Sequence, residues 1–418
     1  MKKIMEIANI IKENGGKLYL VGGAVRDKIF NLKQDDEDYC IVGIDAKKFE
    51  ELFPEAKIKG KAFPVYDIEG KEFALARAEQ KNGKGHKEFL IEVSSKITLE
   101  EDLKRRDLTI NAIAEDVLTG EIIDPYNGIE DFKRKIIRAV SESFKEDPLR
   151  AYRAARFAAK FNFEVEENTL KMINELKSEL STLSAERIFY ELRKSLKTDH
   201  PEKFFEILRQ ADILDVHFEE LSKLIGALQP VQYHPEGDSY NHTMLALKMS
   251  ASLTDNEIIR FCALVHDLGK GLTPKEEYPH HINHDKNGVE LVKKLGNRLK
   301  LPNSWIKCGI TAAREHMKGG IFNKMTPKKK IEFIERIDKS MLGLRGLEIV
   351  VESDRNCRGT EKTKVEFAEL GAKILNKIDG NYVMKKYPNL KQGINLKEKM
   401  HEERIYYLKE LINKKANI

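Results

Sequence analysis

The stretch Leu20–Asp27, LVGGAVRD, decides the fold class. Lys17–Val21 (KLYLV) reads as a buried strand, and after two glycines Gly22–Phe30 carries a helical pattern. Glycines at this point let the backbone turn sharply and approach a ligand with no Cβ in the way. The N–H groups of the following helix start would face phosphate oxygens, and Arg26 can add a charge. A plain strand-to-helix turn has the same look, so the motif has to be read with its neighbours. Working outward, Asp38–Gly43 (DYCIVG), Phe73–Arg77 (FALAR), Phe89–Val93 (FLIEV) and Gly120–Asp124 (GEIID) read as further strands. Lys47–Phe53 and Leu103–Ala114 read as helices, and the irregular alternation predicts an α/β (α+β) head.

From Asp147 onward strand signals nearly vanish. Leu149–Phe161, Glu167–Lys177, Ala185–Lys197, Pro201–Gln210, Asn241–Ala251 and Ile258–Lys270 carry apolar residues at helical spacing. A loop rich in Pro, Glu and Gly interrupts them at Gln229–Asp238 (QPVQYHPEGD). The expected organisation is a head over 1–140, a helical neck and body over 141–229, and an all-α third domain with a helical tail over 230–418.

Composition narrows the classes. The 418 residues suffice for two to four domains. Lys and Arg total 73 against 68 Asp and Glu, a net charge of only +5, so electrostatic recognition has to be local. No apolar run approaches the roughly 18 residues that span a bilayer, and the N-terminus MKKIMEIANIIKENGG lacks a signal-peptide core. The cysteines Cys40, Cys262, Cys308 and Cys357 are scattered, which argues against a disulfide framework and fits a reducing cytoplasm.

Three head motifs carry chemistry. In Asp35–Val42 (DDEDYCIV), residues two apart share a strand face, so Asp36 and Asp38 can converge where divalent ions would sit. Asp35 and Glu37 offer the alternative register, and a solvated acidic turn is the simple alternative. Paired carboxylates suit transfer reactions that use two Mg²⁺ ions about 3.5–4 Å apart. Glu101–Ala112 (EDLKRRDLTINA) and Glu146–Phe157 (EDPLRAYRAARF) are basic. In the second, Asp147 suits the N-cap and Pro148 the first helical position. Arg150, Arg153 and Arg156 then follow every three residues along one stripe, which would otherwise be a solvated face.

These motifs, with Ile122–Gly128 (IIDPYNG), occur in an order that resembles the class II tRNA nucleotidyltransferases, the CCA-adding enzymes that share a family with bacterial poly(A) polymerase. The resemblance implies a polymerase-β-like head and template-independent addition of C, C and A to tRNA 3′ ends from CTP and ATP. It further implies that Gly23 and Arg26 contact the incoming nucleotide and that Asp36 and Asp38 ligate Mg²⁺. Arg106, Arg153 and Arg156 would hold phosphate or ribose, Asp147 and Arg150 would read the base, and Glu72 could supply a third acidic group. Chemistry supports the base reader independently. Cytosine and adenine each present an amino donor beside a ring-nitrogen acceptor, whereas uracil and guanine present the reverse; an Asp acceptor beside an Arg donor fits the first pair.

The third domain has its own signal. His242, His266, His280, His281, His284 and His316 fall within a short span, and His266–Asp267 forms an HD pair inside FCALVHDLGKG. Imidazoles and carboxylates on neighbouring helices are what a hydrolytic divalent-metal site needs. The series His242, His266–Asp267 and Asp354 resembles the HD phosphohydrolase superfamily, in which His284 and His316 match added ligands of binuclear members. That resemblance implies a catalytic His266–Asp267 pair, a divalent metal (Mg²⁺ or a transition metal such as Ni²⁺), and 2′,3′-cyclic phosphodiesterase, 2′-nucleotidase and phosphatase activities. His280 and His281 read better as surface residues. The expected partners are the tRNA acceptor stem and top half, CTP and ATP, with no membrane and a monomeric or homodimeric state. The alternatives are a poly(A) polymerase, a CC-only or A-only relative, or, in a different class, a nucleotide-sensing HD regulator.

Overall fold

The computed structural model describes residues 2–33, 37–59, 64–81, 89–232, 234–357, 365–388, 390 and 394–416. Two compact units emerge: Met1–Glu191 with Lys203–Val216, and Leu192–Glu202 with His217–Ile418.

The first unit is built on a seven-stranded mixed sheet of order β3-β4-β5-β2-β1-β8-β9. Its strands are β1 (Lys17–Val21), β2 (Asp38–Val42), β3 (Lys57–Lys59), β4 (Val65–Ile68), β5 (Lys71–Leu75), β8 (Ala114–Asp116) and β9 (Ile122–Ile123). A separate antiparallel ribbon joins β6 (Arg77–Lys81) and β7 (Phe89–Val93), and a parallel one joins β10 (Ile136–Ile137) and β11 (Glu164–Val165). Beyond exposed Lys17 and Asp38 at their starts, the central strands β1 and β2 are apolar because both sheet faces are covered. Leu18, Tyr39 and Ile41 pack with Ile7, Ile11, Phe49 and Phe53 of α1 (Lys2–Glu13) and the region of α3 (Ala46–Leu52). Tyr19, Val21 and Cys40 face the other way, onto Leu99, Leu103 and Ala112.

Register fixes the functional edge. Val21, at the end of β1, pairs with Asp38 on one side and Ala114 on the other, and Asp38 pairs in turn with Glu72 of β5. The glycine turn into α2 (Gly23–Ile29), the start of β2 and the entry to β8 therefore meet at one end of the sheet. After α4 (Leu99–Lys104) and α5 (Gly128–Lys133) come α6 (Leu149–Phe161) and α7 (Glu167–Glu175), then α8 (Ala185–Leu196), α9 (Pro201–Gln210) and α10 (Leu214–Ser222), within each of which the division between the units falls.

Several local expectations change. Leu103–Ala114 is not one helix: α4 ends at Lys104, a 3-10 turn covers Thr109–Asn111, and β8 begins at Ala114. The Asp107 carboxylate accepts from the Leu108 amide (2.9 Å) and Asn111 Nδ2 (3.2 Å), a local alternative to helical bonding. FALAR breaks at Ala76, where the chain leaves the sheet for the β6–β7 ribbon. The GEIID strand shrinks to Ile122–Ile123 because Asp124 turns inward and accepts from the Gly128 (2.7 Å) and Ile129 (2.9 Å) amides at the start of α5.

The second unit is helical, with α11 (Ser239–Leu253), α12 (Glu257–Val265), α13 (His284–Arg298), α14 (Asn303–Gly320), α15 (Pro327–Asp338), α16 (Gly343–Asn356), α17 (Phe367–Lys377), α18 (Gly380–Lys386) and α19 (Ile394–Ala416). Its core includes Cys262, Phe333, Leu347, Val351 and Phe367. The helix expected over Ile258–Lys270 stops at Val265 and gives way to a 3-10 turn at Leu268–Leu272. Within that turn Gly269 lies so close to the start of α13 that an added Cβ would sit 1.9 Å from the His284 carbonyl. Among the described residues no helix is long and apolar enough to cross a membrane.

Candidate functional sites

In the head, Gly22 holds φ 76° and ψ −134°, a conformation only glycine takes without strain, and its amide donates to the Ile113 carbonyl (2.8 Å). The turn packs against the EDLKRRDLTINA segment. An added Cβ at Gly22 would meet Arg106 Nη1 at 2.9 Å. Arg106 is placed by Asp102 Oδ2 (3.3 Å) and the Asn111 carbonyl (3.4 Å), while Arg105 takes the other Asp102 oxygen at 2.6 Å. Arg26 is 2% exposed; it donates to Asp27 Oδ1 (2.8 Å) and to Asn111, and its guanidinium lies 4.8 Å from the Phe161 ring centroid. Asp38 is exposed at the start of β2, and Asp36 lies outside the described residues. Glu72 pairs with Lys59 at 3.1 Å.

The arginine stripe of α6 is not a solvated face. Arg150 and Arg156 are 9% and 8% exposed. Arg153 pairs with Asp107 Oδ2 at 2.7 Å, Arg156 pairs with Glu191 and lies 4.1 Å from the Phe157 centroid, and Arg150 donates to the Ser143 carbonyl at 2.6 Å. Burial alone would raise the Asp107 pKa, but Arg153 and Arg150 outweigh it and hold the carboxyl well below the usual range. Asp147 sits one residue ahead of the helix cap; Oδ1 accepts from the Leu149 amide (3.0 Å) and Oδ2 from Arg187 (2.7 Å). Its side chain is 25% exposed.

In the second unit, four imidazoles surround Asp267. His266 Nδ1 faces the Ala263 carbonyl (2.7 Å), His284 Nδ1 that of His281 (2.7 Å), and His316 Nδ1 those of Ala312 (3.1 Å) and Ala313 (3.0 Å). Protonated Nδ1 atoms bonded this way leave the Nε2 lone pairs pointing inward. His266 Nε2 lies 3.3 Å from Asp267 Oδ2, and His316 and His284 Nε2 lie 3.3 and 3.5 Å from Oδ1. His242 Nε2 lies 3.1 Å from Asp354 and 3.7 Å from Asp267. Buried His242 Nε2, His266 Nε2 and Asp267 Oδ1 have no hydrogen-bond partner within the protein. Orphaned nitrogen and carboxylate donors converging in one pocket fit a divalent cation. Two ligand groups share Asp267: His242–His266–Asp267 and Asp267–His284–His316.

Acidic neighbours set the proton affinities here, and a cation would have to displace a proton from the imidazoles they favour. Burial lowers the proton affinity of His284, whereas for His316 and His242 the neighbouring Asp267 and Asp354 carboxylates override burial and raise it. Against burial, Lys270 and His266 keep Asp267 ionised; Lys270 Nζ lies 2.5 Å from it and 2.6 Å from Gln229.

A poly A polymerase head domain model matches residues 18–138, a probable RNA and SrmB-binding site of polymerase A matches 162–225, and an HD domain matches 236–341. A solved CCA-adding enzyme with ATP is similar at TM-score 0.63 and 20% identity, covering 97% of this chain and 90% of that one. A second, in an apo form, aligns at TM-score 0.61 and 20% identity over 99% and 96%. A tRNA-processing enzyme in its apo form aligns at 0.56 and 21% over 96% and 95%. The chain thus carries a poly A polymerase head domain and an HD domain, and its fold is that of the solved CCA-adding and tRNA-processing enzymes.

Within this CCA-adding/poly(A) polymerase fold, Gly23, Arg26 and Arg106 gather around the glycine turn, and Arg153 lies against Asp107 of the same segment. His242, His266, Asp267 and Asp354 come together with His284 and His316. His280 is exposed and His281 is tied to Thr273 (2.9 Å) and the Leu228 carbonyl (2.9 Å). Sequence reasoning missed Asp107, Asn111, Arg187, Glu236 and Lys270. For Lys270 the signal was present in the same HDLGK run; Arg187 is one charge among many on an amphipathic helix.

Proposed function

We propose that this chain is a tRNA nucleotidyltransferase that adds C, C and A to 3′ ends from CTP and ATP, and that its HD domain is a divalent-metal phosphohydrolase. The observation carrying the first part is the arrangement of Asp147 and Arg150 at the start of a buried arginine helix, in a unit that also holds the glycine turn and Asp38. Asp147 offers an acceptor and Arg150 a donor, the complement of the pairing edges of C and A. A wrong base would leave a buried polar group unpaired, at about 1–3 kcal/mol each. Arg106, Arg153 and Arg156 would hold phosphate and ribose, and Gly23 would admit the nucleotide close to the backbone. Arg26, enclosed with Asn111 and Phe161, would support that turn from behind as well as lend it charge. Asp36 and Asp38 would hold Mg²⁺, a hard cation suited to carboxylate oxygens.

In the HD domain, His242, His266, Asp267 and Asp354 would hold the first cation, with His284 and His316 able to complete a second position through Asp267. Bound cations supply Lewis acidity, lowering the pKa of the attacking hydroxyl or water and offsetting charge on the phosphate. The chain's own part is to keep Asp267 ionised through Lys270 and to present unprotonated Nε2 atoms. A 2′,3′-cyclic phosphodiester, 2′-nucleotide or phosphomonoester is the expected substrate class.

The deciding test incubates the protein and Mg²⁺ with tRNA lacking its terminal CCA, with CTP and ATP separately and together. Extension by three nucleotides only when both are present supports the reading. Unlimited extension with ATP alone would identify a poly(A) polymerase, and addition of only part of the sequence a CC- or A-adding relative.

A further inference from the structure

Three of the imidazoles around Asp267 are oriented by backbone carbonyls of their own helix or turn, but His242 is not. It sits in the first turn of α11, where the Ser239 carbonyl already accepts from the Thr243 hydroxyl (2.7 Å) and the Asp238 carbonyl from the His242 amide (3.1 Å). Its Nδ1 instead faces Glu236 Oε1 at 2.7 Å. The same oxygen lies 2.9 Å from His234 Nδ1, and the two rings meet edge to face with centroids 4.9 Å apart. Glu236 is 6% exposed at its side chain, and the turn carrying it is fixed by Asp238, which accepts from the Asn241 (2.8 Å) and Gly226 (2.8 Å) amides. One carboxylate oxygen accepting two imidazole N–H groups accounts for this trio without a cation of its own.

We propose that Glu236 is a positioning residue: it holds His242 with Nδ1 protonated and Nε2 aimed at Asp267 and Asp354, and His234 holds Glu236 in turn. The proposal rests on the HD metal reading above. A carboxylate behind a metal-ligating imidazole fixes its tautomer and raises its basicity, and losing such a partner typically costs about 10- to 100-fold in metal affinity.

The test is calorimetric titration of the full chain with Co²⁺, comparing wild type, Glu236→Ala, Glu236→Gln and Asp267→Asn, with nucleotidyl transfer as a check on the first unit. Glu236→Ala should weaken Co²⁺ binding about 10- to 100-fold. Glu236→Gln, whose amide oxygen can still accept from Nδ1, should recover part of that loss, and nucleotidyl transfer should be unchanged in both. Histidine ¹⁵N–¹H correlation spectra should show His242 losing its Nδ1–H form in Glu236→Ala. If that variant fails to fold, the isosteric Gln variant still decides, because a purely structural Glu236 would leave its Co²⁺ affinity at the wild-type value. Unchanged affinity in the Glu236 variants beside abolished binding in Asp267→Asn would overturn the proposal and leave the metal site standing. Absence of Co²⁺ binding in wild type would overturn the metal site itself.

Discussion

Asp147 is held by a residue forty positions away, Arg187, through a 2.7 Å bond to Oδ2. If Asp147 reads the base as proposed, its acceptor must stay where the base arrives, so Arg187→Leu should raise UTP incorporation relative to CTP. About 10- to 100-fold is expected, the worth of one hydrogen bond to a charged group, measured by single-nucleotide extension. Asp107 has a different task. It pairs with Arg153 and accepts from Asn111 while only 7% exposed, so Asp107→Asn should cost about 1.5–3 kcal/mol in urea unfolding at pH 7. The sign with pH follows from its depressed pKa: folding releases the Asp107 proton more readily than the unfolded chain does. Its contribution is complete above the unfolded value of about 3.9 and fades as pH falls toward the folded one. The gap between wild type and Asp107→Asn should therefore narrow only below about pH 4.

At the scale of elements, Gly269 shows how a short turn places the proposed ligands. Its Cα hydrogens face the His284 carbonyl and the Gly288 amide, so the HDLGK turn and the start of α13 touch backbone to backbone. Gly269→Ala would drive α13 away from Asp267. It should lower the thermal midpoint by several degrees and weaken Co²⁺ binding more than tenfold, whereas Gly271→Ala, which meets only Lys223, should spare the metal site. The helix α6 was readable from the sequence over Leu149–Phe161, because an Asp-Pro start and a regular apolar period agree, although Pro148 rather than Asp147 takes the cap position. The HD pair was readable because a charged dipeptide inside FCALVHDLGKG is costly unless it is used. Leu103–Ala114 was misread because its apolar residues are buried on every side, leaving no face to set a period. Glu236 was invisible for another reason: HPEGD has the composition of a loop, and only the fold brings its carboxylate behind His242. Arg187 and Asp107 were missed because their partners are distant in sequence.

For the whole chain, the decisive property is that each cluster of chemical groups is assembled inside one compact unit with its own core. The glycine turn, Asp38, Asp147 and the arginines belong to Met1–Glu191, around Ile41, Phe49, Phe73 and Leu103. His242, His266, Asp267, His284, His316 and Asp354 belong to His217–Ile418, around Phe333, Leu347 and Phe367. Clusters that share no partner act independently. The double variant His266→Ala, Asp267→Asn should therefore lose Co²⁺ binding and hydrolysis of a 2′,3′-cyclic nucleotide, yet keep CCA addition within about twofold of wild type. Asp38→Asn should do the reverse. The two assays on one preparation also separate a folding defect from a site defect, since a collapsed chain loses both. Joint loss in a double variant whose far-ultraviolet circular dichroism and melting profile match wild type would mean that one set of residues serves both reactions, and the assignment of a separate hydrolytic site to the HD domain would fail.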